Sequence, residues 1–434
     1  MKISVVGAGY VGLITGVSFA SFGHKVTCID KNVDAIQKLQ SGQVPFFEPQ
    51  LSTFLAQKQT ADNLTFTTSA NESLPQSDVI FIAVGTPETP TGDADTSAVF
   101  AALQEMAPLA KKGAVIVLKS TVPIGTNQHV RNTLKRLQRD DVHVVSNPEF
   151  LREGSAIEDF MRPDRVIVGT LHKEAAKTME RLYAPVIKTG AVFVATSPET
   201  AETIKYAANS FLAMKISFIN QMADLCEKVG SNVLDVAHGI GLDARINPHF
   251  LRAGPGYGGS CFPKDTRALC ATAQKHGVDL SLIEATIKAN EHRKTQMAER
   301  VAQRLGGTLC GKTLGVLGAT FKANTDDVRE SPAIAIIELL TQKGATIQLF
   351  DPKISPHLED TLQGVSVVDT IDAAALKADA LIVLTEWAAF RSLDFKKLKA
   401  NMRQPLMIDM RNVYRAGDVR AHGFAYYGLG QPSE

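Results

Sequence analysis

The sequence predicts an α/β fold in which two doubly wound domains are joined by a central helical region with one long helix. The first observation is a strand-like run, a glycine-rich turn, a helix-like stretch and a second strand-like run within residues 2–30. The second is a similar strand–helix–strand pattern at 312–352, and the third is a helical pattern at 198–229 between the two. Strands that alternate with helices are typical of a parallel sheet covered on both faces.

The N-terminal pattern predicts a dinucleotide site. The strand KISVV at 2–6 runs into GAGYVG at 7–12, and the second strand ends at Asp30. The three glycines allow a tight turn and let a diphosphate approach the start of the following helix. Asp30 would bind ribose hydroxyls and repel a 2′-phosphate, so the predicted cofactor is NAD rather than NADP. The alternative is a glycine-bearing turn between a strand and a helix that holds no cofactor.

Polar residues lie at the ends of further strands in the first domain. We expect strands at 64–68, 78–84, 114–125 and 142–154, and edge strands at 165–169 and 191–196. The residues at the strand ends are Thr86, Thr121, Glu149 and Glu153. Ligands bind outside the carboxyl ends of strands in open parallel sheets, so together these residues outline one crevice. Each of them alone fits a helix cap equally well.

The central stretch 198–229 predicts a long helix, and a second one is expected at about 281–305. Lys205 and Asn209 are four residues apart and therefore share one face of the first helix. The alternative for Lys205 is a solvated surface lysine, although apolar residues flank it on the same turn. A long apolar helix in this position fits a backbone between two domains or a dimer interface.

A glycine-rich loop, FLRAGPGYGGSCFPKD at 250–265, contains the strongest candidate for a nucleophile. Cys261 follows four glycines and precedes a helix that we expect to begin at Asp265. The positive end of a helix favours the thiolate form of a cysteine, and Lys264 adds a nearby cation. Asp265 adds a carboxylate that would polarise water. The alternative is a glycine-rich turn that holds a buried structural cysteine.

The C-terminal region predicts a second strand–helix–strand unit without a second dinucleotide site. Its turn has Gly315 and Gly318 but no GxGxxG, and its helix is expected to begin near Ser331. Further strands are expected at 378–387 and 405–412. The candidate ligand contacts at the strand ends are Phe321, Lys322, Asp326, Arg329 and Arg411.

Composition narrows the class of protein. The chain has 434 residues, of which 44% are hydrophobic, and 46 basic residues balance 45 acidic ones. This balance gives no argument for binding nucleic acid or a membrane, and the N-terminus lacks a signal-peptide pattern. The five cysteines are widely spaced and odd in number, so we expect neither a disulfide framework nor a metal site. A reducing, cytoplasmic setting is predicted.

With these motifs in place, the chain resembles the nucleotide-sugar 6-dehydrogenases. The matching stretches are GAGYVG (7–12), GTPETPTGDAD (85–95), STVPIGT (120–126), NPEFLREG (147–154), ETIKYAANSFLAMKISFIN (202–220), GYGGSCFPKD (256–265), FKANTDDVRESP (321–332) and TEW (385–387). They are spread over residues 7–387, so the resemblance extends along nearly the whole chain, and the ending GSCFPKD resembles the branch that acts on UDP-glucose. One departure is Asn247, where the family usually has a glycine.

The resemblance implies oxidation of the C6 alcohol of UDP-glucose to the carboxylate of UDP-glucuronate with two NAD, through a thiohemiacetal and a thioester on Cys261. It implies that the first base is either Lys205 or a water held by Asp265. Lys205 and Asn209 would donate to the oxyanion, and Thr121 and Glu149 would lie near the hydrolytic water.

The resemblance also assigns ligand contacts. The implied cofactor contacts are Gly7, Gly9, Tyr10, Val11, Gly12, Asp30, Lys31, Thr86, Thr121, Glu153, Lys264 and Arg329. The implied contacts to the nucleotide sugar are Glu149, Phe150, Leu151, Arg152, Lys205, Asn209, Phe250, Tyr257, Gly258, Phe321, Lys322 and Arg411. Arg245 resembles an arginine that reaches the substrate of a neighbouring subunit, which implies a homodimer.

We therefore expect a Rossmann-like NAD-binding domain at 1–197, a central helical and dimerisation domain with the cysteine loop at 198–300, and a Rossmann-like UDP-sugar-binding domain at 301–434. Three other functions stay open. They are a dehydrogenase for another nucleotide sugar, a sensor that binds NAD and a sugar nucleotide without chemistry, and a two-electron dehydrogenase whose cysteine is structural.

Overall fold

The computed structural model describes residues 1–354, 358 and 362–432. They form two compact units, each built around a mainly or wholly parallel sheet. The first unit comprises Met1–Ala208 and Arg267–Val278, and the second comprises Asn209–Thr266 and the described residues from Asp279 onward. The predicted α/β fold, with two sheets that a helical region with one long helix joins along the chain, is confirmed.

The first unit has eight strands and nine helices of its own among the described residues. Its strands are β1 (Lys2–Val6), β2 (Lys25–Ile29), β3 (Leu64–Thr67), β4 (Val79–Ile82), β5 (Val115–Leu118), β6 (His143–Ser146), β7 (Arg165–Gly169) and β8 (Val192–Thr196). Its helices are α1 (Tyr10–Ser21), α2 (Val33–Gln40), α3 (Leu51–Ala56), α4 (Lys58–Ala61), α5 (Ser97–Met106), α6 (Thr126–Arg136), α7 (Ala156–Met161), α8 (Lys173–Leu182) and α9 (Ala184–Ile187).

The sheet of the first unit has the strand order β3-β2-β1-β4-β5-β6-β7-β8. Neighbouring strands are parallel except β6 and β7, which are antiparallel and pair only at Ser146 and Gly169. The order reverses between β1 and β4, and such a reversal is where ligands bind in open α/β sheets. The expectation that both last strands lie at the edge is wrong for β7. It pairs along its whole length with β8, which takes the edge.

Helix α1 is packed tightly against the sheet of the first unit. Residues Gly12–Ala20 are all buried, so most of the helix surface is covered by protein. A Cβ added at Gly16 would lie 2.4 Å from the Sγ atom of Cys28 on β2. The helix and the strand therefore approach each other more closely than any larger residue at position 16 would allow.

The central region is helical, as predicted. Its helices are α10 (Pro198–Val229), α11 (Val233–Gly241), α12 (Phe262–Lys275) and α13 (Ser281–Arg304). The predicted bounds of α10 are confirmed, but α12 begins at Phe262, three residues before the expected start at Asp265. The proline at 263 fits the first helical turn because the amides there have no intrahelical partner. Among the described residues, no helix combines the length and the apolar character that crossing a membrane requires.

The second sheet is parallel throughout, with the order β11-β10-β9-β12-β13-β14. Its strands and helices are β9 (Thr313–Leu317), α14 (Pro332–Gln342), β10 (Thr346–Phe350), β11 (Val365–Val367), α15 (Ile371–Ala375), β12 (Ala380–Val383), α16 (Phe395–Asn401), β13 (Leu406–Asp409), α17 (Ala416–Ala421) and β14 (Ala425–Gly428). The two edge strands, β11 and β14, were not predicted. They have only three and four residues, too few to show a clear alternation.

The turn after β9 repeats the geometry of the turn after β1. The amide of Ala8 donates to Asp30 Oδ2 at 2.7 Å, and the amide of Ala319 donates to Asp351 Oδ2 at 2.8 Å. In the second unit, however, the same oxygen also accepts from the Thr320 hydroxyl and from Trp387 Nε1, both at 3.1 Å. The buried carboxylate of Asp351 therefore serves the protein's own donors.

Candidate active site

The turn after β1 leaves room for a ligand at its second glycine. Gly7 has a φ of +98°, and a Cβ there would lie 2.7 Å from the Ala83 carbonyl oxygen. A Cβ at Gly12 would lie 1.8 Å from the Gly7 oxygen, whereas one at Gly9 would meet no protein atom within 4 Å. The backbone turn itself thus requires Gly7 and Gly12, and the space at Gly9 is free for a close-fitting group.

The start of α1 fits the diphosphate of a dinucleotide. No side chain caps this helix, so the first-turn amides of Tyr10, Val11 and Gly12 lack helical partners and are available to bind an anion. Asp30 stands at the end of β2, where its Oδ1 atom accepts from the Asn32 amide at 2.9 Å and its Oδ2 atom binds the turn. The two backbone bonds fix the orientation of the carboxylate that we expect to receive the ribose hydroxyls.

We expect NAD to be strongly preferred to NADP because of this fixed carboxylate. Each ribose hydrogen bond to a charged group contributes about 1.5–3 kcal/mol, and a 2′-phosphate would both lose these bonds and be repelled. The ratio of kcat/KM for NAD to that for NADP should exceed about 100, and Asp30→Ser should reduce it by at least about tenfold. Asp34→Asn, which removes an exposed charge in the first turn of α2, is the control and should leave the ratio unchanged. Equal efficiencies in the unmodified protein would contradict the assignment.

The loops after β4, β5 and β6 bring the other predicted residues of the first unit to one edge of the sheet. The Thr86 hydroxyl donates to the carbonyl oxygen of Thr121 at 2.8 Å, which joins two of these loops. The N-cap residues of α5, α6 and α7 are Thr96, Gly125 and Ser155. The alternative that the four strand-end residues are helix caps is therefore wrong. Lys31, by contrast, is exposed and pairs with Glu105 at 2.7 Å.

Lys205 and Glu149 form a buried ion pair. The Lys205 side chain is only 4% exposed, and its Nζ atom lies 2.8 Å from Glu149 Oε1. Burial alone would raise the pKa of Glu149, but the Lys205 ammonium and a hydrogen bond from the Leu151 amide hold that pKa below its usual range. A solvated surface lysine at this position is ruled out.

Other residues of the loop after β6 are held by the first unit itself. The Phe150 ring lies 3.9 Å from the Arg165 guanidinium and 5.4 Å from Lys205 Nζ. Arg152 binds Asp159 through two nitrogens, with a closest distance of 2.6 Å. Phe150 is thus placed beside the ion pair, while Arg152 is oriented by Asp159.

The first unit contains a buried lysine that no sequence motif predicted. Lys119, at the end of β5, is buried, and its Nζ atom lies 3.2 Å from the Tyr183 hydroxyl and 3.3 Å from Asn147 Oδ1. Burial lowers the pKa of Lys119 to about 8, against the opposing effect of the Glu149 carboxylate. The signal was present in the sequence AVIVLK at 114–119, where a single charge ends an apolar run.

The depressed pKa of Lys119 predicts how stability depends on pH. Between about 8 and the ordinary lysine value of 10.5 the unfolded chain holds this proton and the folded chain does not. The free energy of unfolding therefore contains a contribution that rises with pH across that window, by up to about 1.4 kcal/mol per pH unit. In urea titrations at pH 8, 9 and 10, Lys119→Met should show a smaller slope than the unmodified protein. Exposed Lys112→Met is the control, and equal slopes for Lys119→Met and the unmodified protein would contradict the prediction.

Cys261 immediately precedes α12, in the second unit. It is a partly exposed thiol, and its carbonyl oxygen accepts the amide of Asp265 at 2.8 Å as the first bond of the helix. Cys28, Cys226 and Cys270 are buried, and burial raises the pKa of the Cys28 thiol to about 12. Position at a helix N-terminus and access to solvent distinguish Cys261 as the candidate nucleophile.

Asp265 is fixed by two of the predicted residues. The carboxylate is 1% exposed, and it accepts from Asn209 Nδ2 at 2.6 Å and from Lys264 Nζ at 2.7 Å. Asn209 lies one turn after Lys205 on α10. The second unit thus brings the amide of α10 and the start of α12 into direct contact.

The glycine-rich loop packs on the segment that follows β9. A Cβ at Gly258 would lie 2.2 Å from the Glu330 carbonyl oxygen, and one at Gly259, whose φ is +83°, would lie 2.8 Å from the Phe321 ring. Arg411 Nη2 donates to the Phe321 carbonyl oxygen at 3.1 Å. The close contacts require glycine at both positions and bring the loop together with Phe321 and Arg411.

The remaining predicted residues of the second unit have individual settings. Phe250 has a φ of +63°, which is strained for a bulky side chain. Tyr257 is buried and its amide donates to Asn290 Oδ1 at 2.8 Å, while Lys322 Nζ lies 5.4 Å from the Phe321 ring. Arg329 is exposed and bound to Asp327 at 2.8 Å. These residues stay predictions as ligand contacts.

Arg245 and Asn247 lie in the turn after α11. The Arg245 side chain is 89% exposed and pairs with Asp243 at 2.6 Å. Asn247 has a φ of +67°, so it adopts the left-handed conformation that a glycine would take most easily. Its Oδ1 atom accepts the His249 amide at 3.0 Å, the local bond that makes asparagine the best substitute there.

The dinucleotide turn with its oriented aspartate in the first unit is typical of a dinucleotide-dependent dehydrogenase. Three family models match the chain, all of the UDP-glucose/GDP-mannose dehydrogenase family. They are its NAD binding domain at residues 1–187, its central domain at 199–292 and its UDP binding domain at 315–416. The chain belongs to this family, and it is an NAD-dependent oxidoreductase.

Individual relatives are similar to this chain along its full length. The UDP-glucose 6-dehydrogenase of Rhizobium meliloti is 49% identical over 436 residues, covering 100% of both chains. The solved UDP-glucose dehydrogenase of Pyrobaculum islandicum is 35% identical with a TM-score of 0.90, covering 99% of this chain and 97% of that one. The UDP-D-ManNAc dehydrogenase of Pyrococcus horikoshii is 28% identical with a TM-score of 0.86, covering 99% of each.

Proposed function

We propose that this protein oxidises UDP-glucose at C6 to UDP-glucuronate and releases two NADH for each sugar. The observation that carries the proposal is Cys261 at the start of α12, beside an Asp265 whose carboxylate is oriented by Asn209 and Lys264. A four-electron oxidation needs a nucleophile that converts an aldehyde into a second hydride donor. A cysteine at a helix N-terminus meets that requirement.

The first oxidation needs a base for the C6 hydroxyl. The turn after β1 and Asp30 would hold NAD, which would supply the hydride acceptor for each oxidation. Lys205 Nζ donates to Glu149 Oε1 at 2.8 Å, and this donor role suits it to donate to the C6 oxygen rather than to accept its proton. We therefore assign proton removal to a water on Asp265, whose carboxylate keeps a lone pair on each oxygen after binding Asn209 and Lys264.

The second oxidation proceeds on the enzyme. The Cys261 thiolate adds to the aldehyde carbon, and Lys205 and Asn209 donate to the resulting oxyanion of the thiohemiacetal. Loss of hydride from that carbon gives the thioester. Water, deprotonated by Asp265, then cleaves the C–S bond to release the carboxylate and regenerate the thiolate, and we assign Thr121 and Glu149 to the same step.

The substrate is tested with a panel of nucleotide sugars. Purified protein and NAD are mixed separately with UDP-glucose, GDP-mannose and UDP-N-acetylmannosamine, and NADH is followed by absorbance. UDP-glucose should have a kcat/KM at least about 100-fold above the others. If GDP-mannose or UDP-N-acetylmannosamine is turned over faster, that sugar is the substrate instead of UDP-glucose. If UDP-glucose binds but no NADH is formed, the protein is a sensor.

A homodimer is part of the proposal, and it is supported by an exposed apolar face of α10. Phe211, Phe218, Leu225 and Val229 are exposed at spacings that place them on one side of this helix. A symmetric partner would cover this face and give the exposed guanidinium of Arg245 a role at the partner's substrate. Light scattering at assay concentration should give twice the 46.8 kDa chain mass. An active monomer would contradict the proposal, and Phe218→Glu should lower the measured mass.

We also propose which domain has which function and where in the cell the protein is located. We assign NAD binding to 1–197, dimerisation and the cysteine loop to 198–300, and UDP-sugar binding to 301–434. Support comes from the matched family domains at 1–187, 199–292 and 315–416. All five cysteines are thiols, which supports a reducing, cytoplasmic setting.

A further inference from the structure

A buried carboxylate outside the predicted site joins three segments of the first unit. Glu48 lies between α2 and α3, and its side chain is 5% exposed. Its Oε2 atom accepts from the Tyr10 hydroxyl at 2.5 Å and from the Gly154 amide at 2.7 Å, and its Oε1 atom accepts from the Ala156 amide at 2.8 Å. The Phe46 ring packs against Tyr10 at 5.0 Å between centroids.

The segments that Glu48 joins are those that carry candidate ligand contacts. Tyr10 is the first residue of α1, in the turn that fits the diphosphate. Gly154 ends the loop after β6, which carries Glu149, Leu151 and Glu153 as candidate contacts. Gly154 has a φ of +80°, and Ala156 is the first residue of α7, so both amides point away from regular secondary structure and need an acceptor.

The chemistry of the carboxylate makes this connection specific. Burying a charge is costly unless strong donors satisfy it, and one phenol and two backbone amides do so here. Burial and the bond to Glu48 raise the pKa of Tyr10, so the phenol stays protonated and remains a donor. A glutamine side chain at this position would have the same shape, but its amide group would turn a donor towards at least one N–H or O–H and break the connection.

We propose that Glu48 is a positioning residue for both ligands: it ties the nucleotide turn at Tyr10 to the loop after β6 at Gly154. Glu48 acts through these two segments, because its oxygens are already engaged by protein donors. The inference rests on the proposed function for the identity of the second ligand, whereas the NAD part requires only the dinucleotide turn.

Glu202 provides a matched control for the loss of a buried carboxylate. It is 3% exposed, and it accepts two backbone amides near the start of α6, those of Gly125 at 2.7 Å and Asn127 at 2.9 Å. A hydroxyl, that of Ser146, is its third donor at 3.1 Å. The donor set is the same in kind, but none of the three donors belongs to the candidate ligand contacts.

The test measures binding of each ligand alone to the full-length protein by calorimetry. Glu48→Gln should raise the Kd for NAD by about tenfold and that for UDP-glucose at least about fivefold. Glu202→Gln should lower the thermal midpoint by a similar amount and change either Kd less than about twofold. If both variants weaken binding equally, or if Glu48→Gln leaves both constants within twofold, the proposal is overturned.

A second variant, Tyr10→Phe, keeps the proposal testable if Glu48→Gln does not fold. Tyr10→Phe removes only the phenol donor and keeps the two backbone bonds of Glu48, so it should raise the Kd for NAD about threefold. An unchanged Kd for NAD in Tyr10→Phe would overturn the proposal by itself. If the unmodified protein binds NAD but not UDP-glucose, the proposed substrate is refuted. The measurements of NAD binding would still decide the role of Glu48.

Discussion

Cys261→Ala is expected to abolish formation of UDP-glucuronate while binding of NAD and the overall fold are retained. An aldehyde is a poor hydride donor because its carbon is electron-poor. Addition of a thiolate makes that carbon tetrahedral, with an alkoxide whose collapse to the thioester expels hydride. Without the sulfur this second oxidation has no route of comparable rate, and we expect uronate formation to fall by at least about 10⁴-fold, or ~5.5 kcal/mol of barrier.

The measurement is the yield of NADH and of uronate per UDP-glucose. The unmodified protein should give two NADH and one uronate for each sugar. Cys270→Ala is the matched control, since this buried cysteine lies on the same helix and costs about 1 kcal/mol of packing at most. A yield of one NADH per sugar, or full uronate production by Cys261→Ala, would refute the covalent mechanism.

Lys205→Met should produce the second large effect, and it should affect both rate and stability. Loss of an ammonium aimed at a developing oxyanion lowers kcat by about 10²–10³-fold. The same change leaves Glu149 as a buried carboxylate without its cation, a loss that costs about 3–5 kcal/mol in buried pairs. The thermal midpoint should therefore fall together with the activity.

A double variant separates the two effects. Lys205→Met combined with Glu149→Gln removes both charges, so stability should return to near that of the unmodified protein while activity stays lost. Thermal unfolding and initial rates of NADH formation measure the two quantities. Activity that recovers with stability in the double variant would show that Lys205 acts only by supporting the fold.

The pattern-based part of the fold was predictable because its signals are local. The bounds of α10 and the strand–turn–helix around Gly7 follow from periodicity and glycine spacing, and these features are set by neighbouring residues. The positions of β7 and of the edge strands β11 and β14 were not, because strand order depends on pairing between distant residues. The start of α12 was expected at Asp265, but the helix begins at Phe262, because a first helical turn accepts a proline such as Pro263.

The candidate site was predictable where a motif names its residues and unpredictable where burial decides. Nothing local distinguishes Glu48 from a surface glutamate, and its three donors come from positions 10, 154 and 156. The single charge that ends the apolar run of β5 marks Lys119 in the sequence, but a charge at a strand end normally reaches water. In both cases a tertiary contact with distant residues gives the side chain its environment.

The hydrogen bond from the Trp387 indole to the buried carboxylate of Asp351 has a spectroscopic consequence. Trp387 is the only tryptophan in the sequence, it is buried, and it donates to Thr320 and Asp351 in the second unit. Emission excited at 295 nm, the tryptophan-selective wavelength, therefore reports on the C-terminal sheet and is silent about the N-terminal one. Circular dichroism reports on the folding of both units, because helices of both contribute to the signal. Chemical denaturation followed by both signals will separate the melting of one sheet from that of the other without any added label.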